Sequence, residues 1–270
     1  MTTSVTFSRR YRAATIIAGL AGAILLGPPG RVQGQAAKEQ PKAKAKAAPR
    51  YSVPPTFSNV PYGPHERQVL DFFKADTKEP APLVVHIHGG GWVNGDKVGV
   101  GDLKKLLDSG ISVASINYRF TTQAQVAGIK PPVKWPLEDA ARAVQFLRSK
   151  AGEWNIDKRR VGATGGSAGA CSSLWLAFHD DMARPDSSDP VARESTRLTA
   201  AAVNGAQTSL DPLQLREWIP NMRYGGHAFG FTGSGARDSQ FQQFYDHRGD
   251  VLEWIKEYSP YSHVDRKSHV

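Results

Sequence analysis

Two short stretches of this sequence carry residue types and spacings suited to nucleophilic attack on an acyl carbon. Gly165-Gly166-Ser167-Ala168-Gly169 follows the β-forming Val161–Thr164 and runs into a helix-compatible segment. A serine that attacks an ester carbonyl needs a sharp strand-to-helix turn that lifts its hydroxyl clear of the sheet. Small residues on either side, here glycines, let that turn form without collision. Upstream, His86-Ile87-His88-Gly89-Gly90-Gly91-Trp92 completes a run of β-formers, Leu83–Ile87, and opens into a glycine-rich loop. Negative charge developing on a carbonyl oxygen requires backbone N–H donors already in place. The residue after the nucleophile, Ala168, supplies one in this arrangement, and Gly90 and Gly91 are the expected others.

Each stretch alone is weak evidence, because Gly/Ser-rich turns are common; in this order, each at the end of an expected strand, they reinforce one another. A phosphate-binding loop is the competing reading of the glycine-rich stretch after His86. That motif requires Gly-Lys-Ser or Gly-Lys-Thr, whereas Gly95 is followed by Asp96-Lys97, so it is set aside.

His88-Gly89-Gly90-Gly91-Trp92 with Gly165-Gly166-Ser167-Ala168-Gly169, joined by Pro61-Tyr62-Gly63 and Val69-Leu70-Asp71-Phe72, resembles the α/β-hydrolase esterases related to hormone-sensitive lipase. The resemblance is closest to the secreted group that includes feruloyl and acetyl-xylan esterases, and it spans roughly residues 57–263. It implies Ser167 as nucleophile, Gly90, Gly91 and Ala168 as oxyanion donors, and His88, Gly89, Gly165 and Gly169 as support for the two turns. It implies ester substrates, small or attached to polysaccharide, and no cofactor or metal. Trp92 is expected to line the acyl or leaving-group side of the pocket, with core packing as its alternative.

The elements that must position these residues follow from pattern. Phe57–Val60 and Gln68–Phe73 read as opening antiparallel strands, Leu83–Ile87 as the first buried strand, and Ile111–Asn117 and Leu198–Val203 as further strands. Gly101–Ser109 suits a helix ended by Gly110. A second helix opens at Trp135-Pro136, where Glu138 and Asp139 would favour its positive end and Leu137, Ala140, Val144 and Leu147 recur at helical spacing. Ala168–Phe178 is the helix behind the nucleophile. Strands alternating with helices imply an α/β fold, a mostly parallel sheet with crossover helices on both faces. Residues 208–256, rich in aromatics between polar and Gly-rich pieces, are expected to form a cap over the pocket, with ordinary packing of helices on the core as the alternative.

The net charge of +9 is uneven: residues 1–50 hold nine Lys and Arg against one Glu, and the remaining 220 residues hold 25 basic and 24 acidic side chains. The nearly neutral remainder argues against a nucleic-acid partner. Arg9, Arg10 and Arg12 precede an apolar run, Ala13–Leu26, that is short for a bilayer span and breaks at Gly27-Pro28-Pro29-Gly30. This pattern predicts a signal peptide over 1–36, export, and no stable membrane insertion once it is removed. Residues 37–50, rich in Lys, Ala and Pro, are expected to be a disordered tether, and 51–270 one domain. The single cysteine, Cys171, excludes an intramolecular disulfide and reads as a small buried residue.

A serine nucleophile needs a histidine and a carboxylate, which in this fold follow in the order Ser, acid, His. The chain reaches Glu257-Tyr258-Ser259-Pro260-Tyr261-Ser262-His263 and then Val270 with no further apolar strand. The expectation is therefore a C-terminally truncated hydrolase, lacking acid, base and its last strands, and weakly active as it stands. His263 ranks first as a substitute base; Asp139 and Asp211 read as structural. A peptidase or lactonase on the same fold, or a non-catalytic binding module, are the alternative functions.

Overall fold

A computed structural model describes residues 51–232 and 237–264. The expected signal peptide and tether lie outside the described residues. Six strands form one sheet in the order β1-β2-β4-β3-β5-β6: β1 is Phe57–Pro61, β2 Val69–Phe73, β3 Ala81–Ile87, β4 Ser112–Ile116, β5 Ile156–Gly166 and β6 Ala200–Asn204. β1 and β2 pair antiparallel, as do β2 and β4, while the β4–β3, β3–β5 and β5–β6 pairs are parallel.

Parallel neighbours require crossovers, and each parallel step has one. α1 (Leu103–Asp108) links β3 to β4; α2 (Thr121–Val126), α3 (Lys134–Ser149) and α4 (Ala151–Trp154) link β4 to β5; α5 (Ala168–Phe178) links β5 to β6. Successive side chains on a strand face opposite sides, and the core divides accordingly. Phe72, Ala114 and Ile116 join the large cluster with Leu137, Val144, Cys171 and Trp175, whereas the adjacent Phe73 and Val113 meet Leu103 of α1 in a small cluster on the other face. Helical cover on both faces is thus the observed arrangement, as the alternation of elements implied.

The differences from expectation are local. β5 begins five residues earlier than its apolar run, because Asp157–Arg160 continue the strand with exposed or half-exposed side chains that carry no apolar signal. α2 and α4 were not expected; at six and four residues they are too short to show a period. α3 starts at Lys134, which leaves Glu138 and Asp139 beyond its first turn. Asp139 does not serve the helix end: it is buried and accepts hydrogen bonds from Gln68 Nε2 at 2.8 Å, the Arg119 backbone N–H at 2.8 Å and the Arg119 guanidinium at 2.6 Å.

Residues 208–256 form short helices: α6 (Pro212–Trp218), a 3-10 turn at Gly226–Phe229, α7 (Arg237–Asp246), a 3-10 turn at Arg248–Val251, and the start of α8 (Leu252–Tyr258). Asp211 caps α6 by accepting from Leu213 N–H at 2.9 Å, and it holds Arg248 through two bonds of 2.6 Å, a structural role as expected. Among the described residues no helix is long and apolar enough to cross a membrane.

Candidate active site

Ser167 sits at the junction of β5 and α5 with φ 53° and ψ −121°, a conformation costly for any residue with a Cβ, and its side chain is exposed. Its backbone N–H donates to the Asn204 carbonyl at 3.1 Å, so the end of β6 holds the turn. The flanking glycines are required by closeness. A Cβ on Gly165 or Gly169 would strike the Ile87 carbonyl at the end of β3, and one on Gly166 would lie 2.9 Å from Asn204 Oδ1. The helix is therefore drawn directly onto the strand ends, with Ser167 projecting from the turn.

The glycine loop after β3 comes to the same place. A Cβ on Gly89 would meet the Gly166 carbonyl at 2.8 Å and the Ser167 Cβ at 3.5 Å. Gly90 and Gly91 take φ of 99° and 62°, and the Gly90 carbonyl accepts from Val93 and Asn94 N–H at 3.1 and 3.2 Å in a tight turn. Among the described residues no protein acceptor engages the Gly90 or Gly91 N–H. Ala168 is the first residue of α5, where helical N–H groups lack intrahelical partners and the helix dipole is positive.

Three aromatic residues fix this loop. His88 Nδ1–H donates to the Gly89 carbonyl at 2.7 Å, and its ring stacks on Tyr118 at 4.2 Å between centroids. The Tyr118 hydroxyl donates in turn to the His88 carbonyl at 2.9 Å. Burial pushes the His88 imidazole down to about 4, because its Nε2 is enclosed without a hydrogen-bond partner among the described residues and could not accept a proton cheaply. Trp92 does not face the pocket. Its indole is fully buried and donates to Ser172 Oγ on α5 at 3.0 Å, so the expectation that it lines the acyl side is corrected to core packing. The positive φ of 58° at Trp92 swings its side chain inward, beneath the loop.

Ser167, Gly90 and Gly91 open onto a cavity of about 340 Å³, lined on the opposite side by Arg223, Tyr224, His227, Gln240 and Phe241 from the 208–256 segment. His227 Nε2–H donates to the Gly91 carbonyl at 2.9 Å. The structure thus brings His227, and not His263, into the cavity; His263 lies against Glu257 and His179 beyond the C-terminal end of α5. Among the described residues no histidine is hydrogen bonded to Ser167. Cys171 is fully buried and its thiol is pushed well above the usual range by that burial, as befits a packing residue. Asn204 and Tyr118 escaped sequence reasoning, and Tyr224 and His227 are legible there only as part of the expected cap segment, since none stands in a motif and each reaches the site from a distant segment.

Residues 70–269, most of the chain, match the BD-FAE family. The chain belongs to the BD-FAE family. It is 32% identical over 144 residues to a probable isoprenylcysteine alpha-carbonyl methylesterase of Oryza sativa subsp. japonica, covering 53% of this chain and 33% of that protein. It is 31% identical over 138 residues to the esterase LipQ of Mycobacterium tuberculosis, covering 47% and 31%. The chain spans about a third of the length of these curated relatives. Among solved structures it is similar to an acetyl ester-xyloside bifunctional hydrolase from Caldicellulosiruptor lactoaceticus, at TM-score 0.58 and 22% identity over 81% of this chain and 74% of that one. A truncated carbohydrate esterase from gut microbiota matches at TM-score 0.58 and 22% identity, covering 82% and 76%. With the sheet order above, these likenesses make the fold an α/β-hydrolase fold.

Proposed function

We propose that this BD-FAE protein is an exported carboxylic-ester hydrolase working through an acyl-enzyme on Ser167. The observation that carries this reading is the exposed Ser167 on its strained turn, with the Gly90 and Gly91 N–H groups, which no acceptor among the described residues engages, across the same cavity. Ser167 Oγ forms a bond to the ester carbon while the carbonyl π electrons move onto oxygen, where the Gly90, Gly91 and Ala168 amides receive the charge. Collapse of that adduct breaks the bond to the alcohol, which leaves with a proton. Water then repeats the addition on the acyl-serine and releases the acid.

The seryl proton must go to a base. His227 lines the cavity, but its Nε2 already donates to Gly91, so it positions the loop. Among the described residues no histidine is hydrogen bonded to Ser167 to receive that proton.

Short acyl groups suit a cavity of about 340 Å³, at the small end of ligand sites. Attachment of the ester to a polysaccharide is supported by the relatives' names, an acetyl ester-xyloside hydrolase and a carbohydrate esterase among them. Export is supported by the basic start and short apolar run at Ala13–Leu26. Fractionation of expressing cells checks it: accumulation of the uncleaved chain in the cytoplasm counts against export.

The test of the chemistry is hydrolysis of short-chain aryl esters, with and without Ser167→Ala. A fall of several orders of magnitude is expected, as for loss of a nucleophile. Equal turnover by the variant refutes the assignment. Saturable binding of acylated oligosaccharide, without turnover and without serine labelling by a fluorophosphonate, would instead support a binding module.

A further inference from the structure

At the far end of α5 from Ser167 lies a cluster that the ester chemistry leaves unused. His179, which follows the last residue of α5, has Nε2 3.1 Å from Glu257 Oε1 on α8, and His263, in the 3-10 turn Pro260–His263, packs its ring 4.8 Å from that of His179. One ring nitrogen from each histidine and a Glu257 carboxylate oxygen all lie within 4.8 Å of one another.

The hydrogen bonds define what this cluster lacks. His179 Nδ1 faces the Asp180 carbonyl at 2.9 Å, an acceptor only, so Nδ1 carries the proton. A neutral imidazole then offers a lone pair at Nε2, and that lone pair points at a carboxylate oxygen, itself an acceptor when ionised. The contact needs a positive charge between the two. A proton shared with either partner supplies it, and a metal cation supplies it equally. An imidazole whose second nitrogen donates to a backbone carbonyl is the usual form of a metal-bound histidine. His263 is held beside them by its own Nε2 bond of 2.6 Å to the Glu257 carbonyl, and Trp175 supports both partners, packing on His179 with ring centroids 4.4 Å apart and planes tilted by 42°, and donating its indole N–H to the same carbonyl at 2.9 Å.

We propose that His179, Glu257 and His263 form a site for a divalent transition metal of the Zn²⁺ class. Two imidazoles and a carboxylate are a favoured donor set for that ion, with a fourth position left for water. Ligand atoms around such an ion stand ~3.3 Å apart for bonds of ~2.0 Å. The His179–Glu257 edge of 3.1 Å is already close to this, and the wider edges of up to 4.8 Å close by side-chain rotation at a half-exposed, solvent-accessible surface. Eleven residues of α5 put the site roughly 16 Å from Ser167, too far for its water to take part in acyl transfer. Its effect is to staple the C-terminal end of the nucleophile helix to α8 and the turn after it.

Equilibrium dialysis of the tag-free 1–270 chain against Zn²⁺, read by elemental analysis, tests this. One equivalent per chain is expected, with a rise in Tm. His179→Ala and Glu257→Gln should each weaken affinity at least tenfold, while His247→Ala, a histidine outside the cluster, leaves it unchanged. Absence of stoichiometric Zn²⁺, or equal affinity in both cluster variants, overturns the site. Should those variants fail to fold, Co²⁺ bound to the wild type decides: an intense four-coordinate visible band, displaced by Zn²⁺, supports the site, and the weak spectrum of the aquo ion overturns it.

Discussion

Ser167 holds φ 53° and ψ −121°, a region near the mirror image of extended backbone that glycine enters freely and residues with a Cβ do not. Its side chain makes no capping bond to α5, so no side-chain hydrogen bond to the helix end offsets the strain. The cost of such a backbone is on the order of 1–3 kcal/mol. Replacing Ser167 by Gly releases it, less roughly 0.4–1 kcal/mol for the greater freedom that glycine gives the unfolded chain. Replacing it by Ala removes the same hydroxyl and keeps the Cβ. Ser167→Gly should therefore be more stable than Ser167→Ala by roughly 0.5–2 kcal/mol, and both should lose ester hydrolysis alike. Urea unfolding followed by the fluorescence of the six tryptophans reads this as a shift in midpoint at constant slope. In a thermal scan the same difference is about 1–8 °C for a domain of this size. If the glycine variant proves no more stable than the alanine variant, the turn is not strained, and the argument that the fold stores energy to present this hydroxyl fails.

Three further outcomes are expected. Gly169→Ala drives a Cβ into the Ile87 and His88 carbonyls and should cost about 1–3 kcal/mol, whereas Gly152→Ala on α4 meets nothing within 4 Å and should be neutral or stabilising; equal unfolding midpoints for the two would contradict the packing of α5 on β3. His86 and His88 are both held down to about 4 by burial, against about 6.5 unfolded, so the unfolded state takes up protons first as pH falls. Stability should thus be full above pH ~6.5 and decline towards pH ~4, by up to ~3 kcal/mol per imidazole, and a His86→Asn variant with an unchanged pH slope would speak against it. His227→Ala removes one hydrogen bond to the Gly91 carbonyl and should lower kcat/KM about 3- to 10-fold; a loss of several orders of magnitude would show instead that His227 is the base.

Much of the site was legible because its demands are local. The glycines around Ser167 and in His88–Gly91 are there for backbone geometry, and backbone geometry is dictated by neighbours in the chain. The strands β2, β3 and β4 were legible for a similar reason: buried on both faces or alternating, they carry runs of Val, Ile, Leu and Phe that no other element would hold. The bounds of α5 also follow from the chain itself, since the helix begins as soon as the turn at Ser167 ends. Asp139 shows the limit. As an acidic residue early in a helix it suits the positive end, yet Arg119 and Gln68, distant in sequence, take it into the core.

By itself, then, the sequence determined the two turns and the succession of the main strands and helices. Only the tertiary structure decided that Trp92 turns inward onto Ser172 and not towards the cavity, and that the Asn204 carbonyl holds the Ser167 N–H. It also decided that His227 reaches Gly91 across 136 residues while His263 joins His179 and Glu257 at the other end of α5. The reason is the range of the forces involved. A φ angle or a turn is specified by a residue and its immediate neighbours, whereas the partner of a side chain depends on how whole elements pack, information spread over the chain and expressed only when the core closes.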